Sequence, residues 1–174
     1  SSNIKGNMSE VVSRRPARRD FTRVAKTDEK PAEAPSAENE VRVTAGRSQR
    51  MYISYAINVL TGAEGKTKQD SVVLSGMGAA AYNAVNIAEI VKRRVKGLHQ
   101  TTEISSQVLR DEYEAVEQGK PNVVHERKVA VISIVLSTKQ LDAKHIGYQA
   151  PLPDDQVTEQ EEGERPERQP RGDR

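Results

Sequence analysis

Two long strand-like runs stand back to back in the second half of the chain, and they limit the folds open to it. "TTEISSQVLRDEYEAV" (101–116) mostly alternates, "EQGKPN" (117–122) is a Gly/Pro turn, and "VVHERKVAVISIVLS" (123–137) returns. Alternation at a period of two is the mark of a half-buried strand, and a Gly/Pro turn between two such runs reads as a hairpin. The return run is apolar from Val129 to Leu136, which marks it as central in a sheet. The distal half of the hairpin, about 109–127, holds few apolar residues. It is expected to project from the body as an arm.

The residues before the hairpin supply two strands and two helices. "VRVTA" (41–45) places Val41, Val43 and Ala45 on one face of a strand. After the turn "GRSQR", the residues Tyr52, Tyr55, Ala56, Val59 and Leu60 form the stripe of an amphipathic helix, which Gly62 and Gly65 stop. "SVVLSG" (71–76) is a short buried strand. Residues 79–96 form a second helix. Its apolar arc is roughly 160° wide at 100° per residue, more than one sheet face requires. Ala84, Ile87, Ala88, Val91 and Val95 on that arc are therefore expected to meet a dimer partner. Gly97 reads as the C-terminal cap. The order is β-α-β-α-β-β, an α/β chain of the α+β two-layer kind.

The whole length cannot be globular. Charged residues make up 30% and aromatic ones only 3%, too polar to bury a large core throughout. Residues 1–39 read as a disordered tail, basic then acidic, with the first seven a remnant ahead of a start at Met8. "SRRPARRDFTRVAK" (13–26) holds six basic residues and one acid. Residues 40–155 are the foldable domain, and 156–174 a second disordered charged tail. The domain is nearly neutral, with fifteen basic against fourteen acidic residues over 40–160. The absence of Cys excludes disulfides and thiolate metal sites. His99, His125 and His145 lack metal-like spacing. The longest apolar run is far too short to span a bilayer and no signal peptide is visible, so a soluble intracellular setting is expected.

"SGMGAAAY" (75–82) admits three readings. Gly76, Gly78 and Ala81 match a relaxed dinucleotide fingerprint, with Glu103 near the place of a ribose-binding acid. Against this, no further parallel strand follows, Glu103 begins its strand rather than ending it, and no phosphate-loop lysine is present. No cofactor is expected. In the second reading the glycines serve the turn alone: Gly78 lets the chain turn tightly and Gly76 lets backbone pass close by. In the third, the same turn aims unpaired helix N–H groups at a phosphate of nucleic acid.

Four stretches together resemble the eukaryotic branch of the Alba superfamily: "GRSQRMYISYA", "GMGAAAYNAVNIAEIVKRR", "GLHQTTEISS" and "ISIVLSTKQLD…GYQAPLPDDQV". The resemblance implies the fold just described, a homodimer or a heterodimer with another Alba-like chain, and binding of RNA or DNA. It implies contacts at Arg42, Arg47, Ser48, Gln49 and Arg50 around the first loop. Gly76, Met77, Gly78 and Asn83 belong to the second turn, and Arg110, Lys120, Arg127 and Lys128 to the arm. Relatives often carry bases at the positions of Met77, Ala79 and Asn83, which are uncharged here, so strong duplex binding is not expected. The arm also carries Asp111, Glu112, Glu114, Glu117 and Glu126, making it a weak phosphate clamp. Protein contact there stands level with RNA contact. Arg14, Arg15, Arg18, Arg19 and Arg23 add tail contacts. "KRRVK" (92–96) reads as a solvated basic turn that complements the helix dipole. Tyr52 and Tyr55 read as core rather than stacking platforms.

The expected protein is a non-catalytic RNA-binding dimer with no membrane partner. It would act in RNA stability, storage or translation control, in the cytoplasm with the nucleus as a second setting. A structural subunit of a ribonuclease P/MRP-like particle is the alternative, and an enzyme holding a nucleotide at the glycine turn is a third.

Overall fold

The computed structural model describes residues 10–26 and 37–159. Residues 1–9, 27–36 and 160–174 of the two expected tails lie outside the described residues. Among the described residues, elements arise where the periodicities change. In chain order they are β1 (Glu10–Val12), β2 (Phe21–Lys26), β3 (Glu40–Val43), α1 (Gln49–Thr61), β4 (Ser71–Met77), α2 (Ala80–Arg94), β5 (His99–Ala115), β6 (Val123–Ser137) and a 3-10 turn at Asp154–Gln156.

The sheet runs β2-β5-β6-β4-β3. β3 lies parallel to β4, while β6 is antiparallel to both β4 and β5. β6 is thus central, as its apolar run implies. Gly62 closes α1 in a left-handed conformation at φ 76°. The end of α2 differs from the sequence expectation. Val95 is its cap, already extended at φ −127°, and Gly97 makes the next turn at φ 73°.

The helices cover one face of the body. Ile134 and Leu136 of β6 and Val72 and Leu74 of β4 pack with Tyr52, Ile53, Ala56 and Leu60 of α1 and with Ala84, Ile87, Ala88 and Val91 of α2. Each fully buried Leu or Ile among them contributes about 1.5–3 kcal/mol. This packing corrects the assignment of the dimer interface. Ala84, Ile87 and Val91 are 0% exposed and Ala88 1% exposed within a single chain. These four positions of the α2 arc find their second contact in α1 within the chain. Val95, half-buried, packs against the same core.

The N-terminal segment is the larger departure. Residues 10–26 do not hang free, but clasp the arm from both edges. β2 pairs antiparallel with Asp111–Ala115 of β5, and β1 pairs parallel with Val123–His125 of β6. Backbone bonds fix the ends: Val116 N–H donates to Asp20 O at 3.0 Å, and Glu10 N–H to Asn122 O at 3.2 Å. Aperiodic sequence gives no sign of this, because short edge strands are defined by the ladder they join. The second tail also starts late. Thr158 N–H donates to Arg93 O at 2.9 Å, so 156–159 still lies on the body.

Candidate nucleic-acid interface

The first loop is held at its root. The Tyr52 hydroxyl accepts from Thr44 N–H at 3.1 Å and meets Thr44 Oγ1 at 2.9 Å. This buried tyrosine is therefore a loop anchor, not a stacking platform. Tyr55 is also occupied, donating to Glu38 O at 2.6 Å beneath the Lys66 ammonium. Beyond the anchor, Arg47, Ser48 and Arg50 are exposed. Neither Arg47 nor Arg50 makes an ion pair or side-chain hydrogen bond among the described residues. Arg42 is exposed on β3, opposite Ser75 of β4.

The second turn requires both glycines. A Cβ on Gly76 would lie 2.5 Å from Ala80 O, so only glycine lets the first turn of α2 sit this close to β4. Gly78 adopts φ 59°, and its N–H donates to Ala130 O at 2.9 Å. Met77 between them is half-buried and faces Val131 in register. No side chain caps α1 or α2 at its start. One early N–H of each helix is already bonded, Met51 N–H to Ser48 O at 3.2 Å and Ala81 N–H to Gly78 O at 3.0 Å, and the other first-turn N–H groups leave a positive partial charge at each helix start.

A side-chain bridge brings the two helix starts together. Gln49 Nε2 donates to Asn83 Oδ1 at 2.9 Å, and Asn86 Nδ2 donates to Gln49 Oε1 at 2.5 Å. The first loop and the second turn are thus neighbours on one surface. Gln49 and Asn83 hold it together from within, using each other's polar atoms.

The arm bases are mostly spent on arm acids. Arg110 meets Glu126 at 2.6 Å, Lys120 meets Glu117 at 2.7 Å and Arg127 meets Asp111 at 3.0 Å. Lys128 is exposed. Of the N-terminal arginines, Arg23 reaches Asp111 at 3.4 Å and Arg19 meets Asp20 at 3.3 Å, while Arg14, Arg15 and Arg18 are exposed.

Two features escaped the sequence reading. Lys92, expected in solvent, is only 3% exposed, with Nζ 2.7 Å from Glu89 Oε1 and 3.3 Å from Gln149 Oε1. Burial pushes the Glu89 carboxyl up, but hydrogen bonds from Lys92 and Arg93 and their charges outweigh it and hold it below its ordinary value. The Glu89/Lys92 spacing, a helical i,i+3 pair, was the available signal. The second feature is an exposed apolar patch. Tyr82 is 73% exposed, Ile104 78% and Ile146 102%, with Val85 beside them at 41%. Val85, Ile132 and Ile146 line one shallow hollow, and Ile104 pairs with Ile132.

The dinucleotide reading finds little support in the topology. β6, antiparallel, separates the strands before and after α2, where a Rossmann unit has parallel neighbours. Glu103 pairs with His145 at 3.1 Å instead. Among the described residues, no group of three or more His, Asp or Glu is placed to hold a metal ion, and no helix is long and apolar enough to cross a membrane.

The Alba family model matches residues 39–108, from the start of β3 into β5, taking in both helix starts. The DNA/RNA-binding protein ALBA1 of Plasmodium falciparum is 39% identical over 125 residues, 72% of this chain and 49% of that protein. This chain thus spans about half the length of that relative. A ribonuclease P protein subunit p25-like protein of Mus musculus is 39% identical over 114 residues, 64% of this chain and 68% of that protein. The crystal structure of ALBA1 from Trypanosoma brucei is a looser likeness, with TM-score 0.41 at 20% identity over 59% of this chain and 70% of that one. With 39% identity across more than two thirds of the mouse protein, and the matched stretch folded around the paired helix starts, this chain belongs to the Alba family.

Proposed function

We propose that this protein binds nucleic acid, RNA foremost and DNA second, without catalysing a reaction. The observation that carries the reading is the bridge from Gln49 to Asn83, which sets two uncapped helix starts side by side beneath the exposed Arg47 and Arg50. Each guanidinium offers a fork of donors to phosphate oxygens, and each helix start adds N–H groups. Arg42, Ser48, Met77 and Gly78 complete that surface. Few charges reach it, so it suits single strands and loops better than a duplex. The relative named as a DNA/RNA-binding protein supports the ligand class.

Dimerisation belongs to the same proposal. The exposed patch of Tyr82, Val85, Ile104 and Ile146 is the surface for a second Alba-type chain, identical or not, because the rest of α2's apolar arc is already used within the chain. A cytoplasmic role in RNA storage, stability or translation control is the biological setting we propose. The likeness to the p25-like proteins supports a second setting, as a structural subunit of a ribonuclease P-like particle. Copurification with one catalytic RNA distinguishes it from association with many messenger RNAs.

Ultraviolet crosslinking of the full chain to single-stranded RNA, followed by identification of the crosslinked peptides, tests the reading. Crosslinks are expected within 46–51 and 76–83. Crosslinks absent from both segments overturn it.

A further inference from the structure

The arm has two unlike faces, and the N-terminal segment makes them so. β1 and β2 flank the hairpin on opposite edges, so residues 13–20 between them must cross one face of it. Burial identifies that face. Leu109, Asp111, Tyr113 and Val123 are 4–7% exposed although they lie beyond the helices, and strand alternation puts all four on one side. A hollow lined by Arg15, Pro16, Arg18, Phe21 and Tyr113 lies beneath the crossing residues. "SRRPARRD" (13–20) is thus a strap laid over the arm.

The strap is anchored by charge and carries charge. Asp111, 4% exposed, sits between Arg23 at 3.4 Å and Arg127 at 3.0 Å. Above this anchor Arg14, Arg15 and Arg18 are exposed, and none of the three makes an ion pair among the described residues. The opposite face holds Glu112, Glu114 and Glu126 with Arg110 and Lys128. Residues 109–128 alone carry four basic and five acidic side chains, and adding 10–26 makes ten against seven. Docking therefore inverts the sign of the arm and gathers the excess on one side.

We infer that the strap is a fixed phosphate-binding surface: a polynucleotide backbone lies along the Arg14–Arg15–Arg18 side of the arm, with Asp111 as its positioning residue. This rests on the nucleic-acid reading above, and adds that the N-terminal arginines bind while docked, not as a free tail. Three unpaired guanidiniums held on one ribbon face favour a repeating phosphate chain over a single anion.

The test uses two variants of the full chain and fluorescence anisotropy with a single-stranded RNA across a salt series. Thr22 and Glu114 are directly paired across strands, and the chain has no Cys, so T22C/E114C forms one disulfide that pins β2, and with it the C-terminal end of the strap, to the arm. The oxidised form is expected to bind as its own reduced form does, with the same salt slope. Arg14→Gln/Arg15→Gln/Arg18→Gln is expected to lower the slope of log K against log salt by about 2, from roughly 0.7 per phosphate contact on a single strand. A several-fold loss of affinity on oxidation overturns the inference, since the segment would then bind only undocked. An unchanged slope in the triple variant also overturns it. In that case a parent that still binds RNA keeps the nucleic-acid reading intact, with the strap's partner sought among acidic proteins. A parent that binds no RNA at any salt ends both.

Discussion

The Arg23 guanidinium lies 3.4 Å from the buried Asp111 carboxylate across 88 positions of sequence. That bond ties a basic N-terminal segment to an arm that is otherwise slightly acidic. Asp111→Ala removes the anchor and takes from Arg23 its carboxylate partner on the arm. Backbone amides of β2 are expected to exchange with deuterium about tenfold faster or more, the equivalent of about 1.4 kcal/mol of local stability. Amides of α2 and β4 should exchange as in the parent. Equal protection of β2 in both proteins contradicts the docked segment.

The glycine turn yields a second expectation. Gly76→Ala places a methyl 2.5 Å from Ala80 O, and backbone must move to admit it. A loss of about 2–3 kcal/mol is expected, since the clash is with backbone. Gly78→Ala strains a φ of 59° with milder crowding, 3.3 Å to Val129 Cγ1, and should cost about 1–2 kcal/mol. Urea melts of the two variants check the order. Gly78→Ala costing more than Gly76→Ala contradicts it.

Assembly separates from folding at α2. Val91→Glu puts an unpaired carboxylate into the core of one chain and is expected to cost about 3–5 kcal/mol. Tyr82→Glu and Ile146→Glu change exposed positions, so stability should move by only about 0.5 kcal/mol. If the exposed patch is the dimer surface, sedimentation of these two variants gives a monomer where the parent gives a dimer. A parent that sediments as a monomer even with an Alba-type partner chain added counts against the patch.

Glu89 brings a pH dependence. Its carboxyl titrates below the ordinary 4.5 in the folded chain, through Lys92 and Arg93. A depressed carboxylate adds stability that is present above the unfolded value and lost as pH falls through the folded one. The exposure of Glu89, 39%, keeps this to about 1 kcal/mol. Glu89→Gln should therefore be less stable than the parent at pH 7, with the gap narrowing below pH 4.5 in urea unfolding. A gap that widens in acid contradicts the pairing.

The body of the fold was legible because its elements carry clean periods. Val41 and Val43 alternate, the α1 stripe recurs at helical spacing, and the apolar run of β6 announces a central strand. The glycine turn was legible too, since Gly76 and Gly78 mark close approach and positive φ. What escaped were matters of partnership between distant residues. β1 and β2 have no periodicity of their own and exist through β6 and β5. The arc of α2 showed that a second contact was needed, but width alone does not distinguish α1 from another chain. Lys92 lies among four other residues of a basic run, and only its pairing with Glu89 and Gln149 explains why it is inside. At the candidate interface the sequence supplied Arg47, Arg50 and the glycines. The bridge from Gln49 to Asn83, which makes one surface of two loops, needed the structure.

The salt dependence of RNA binding by the full chain tests the central claim most directly. Three proteins are compared with one single-stranded RNA: the parent, Arg47→Gln/Arg50→Gln, and Met77→Arg. Met77 is half-buried at the turn, so an arginine there can reach outward beside Gly78. Every phosphate that a variant newly neutralises, or ceases to neutralise, shifts the slope of log K against log salt by roughly 0.7. The double variant is expected to bind more weakly with a slope shallower by about 1.4, and Met77→Arg more tightly with a slope steeper by about 0.7. Identical slopes for all three, with melting temperatures matching the parent, would show that RNA does not lie across the paired helix starts.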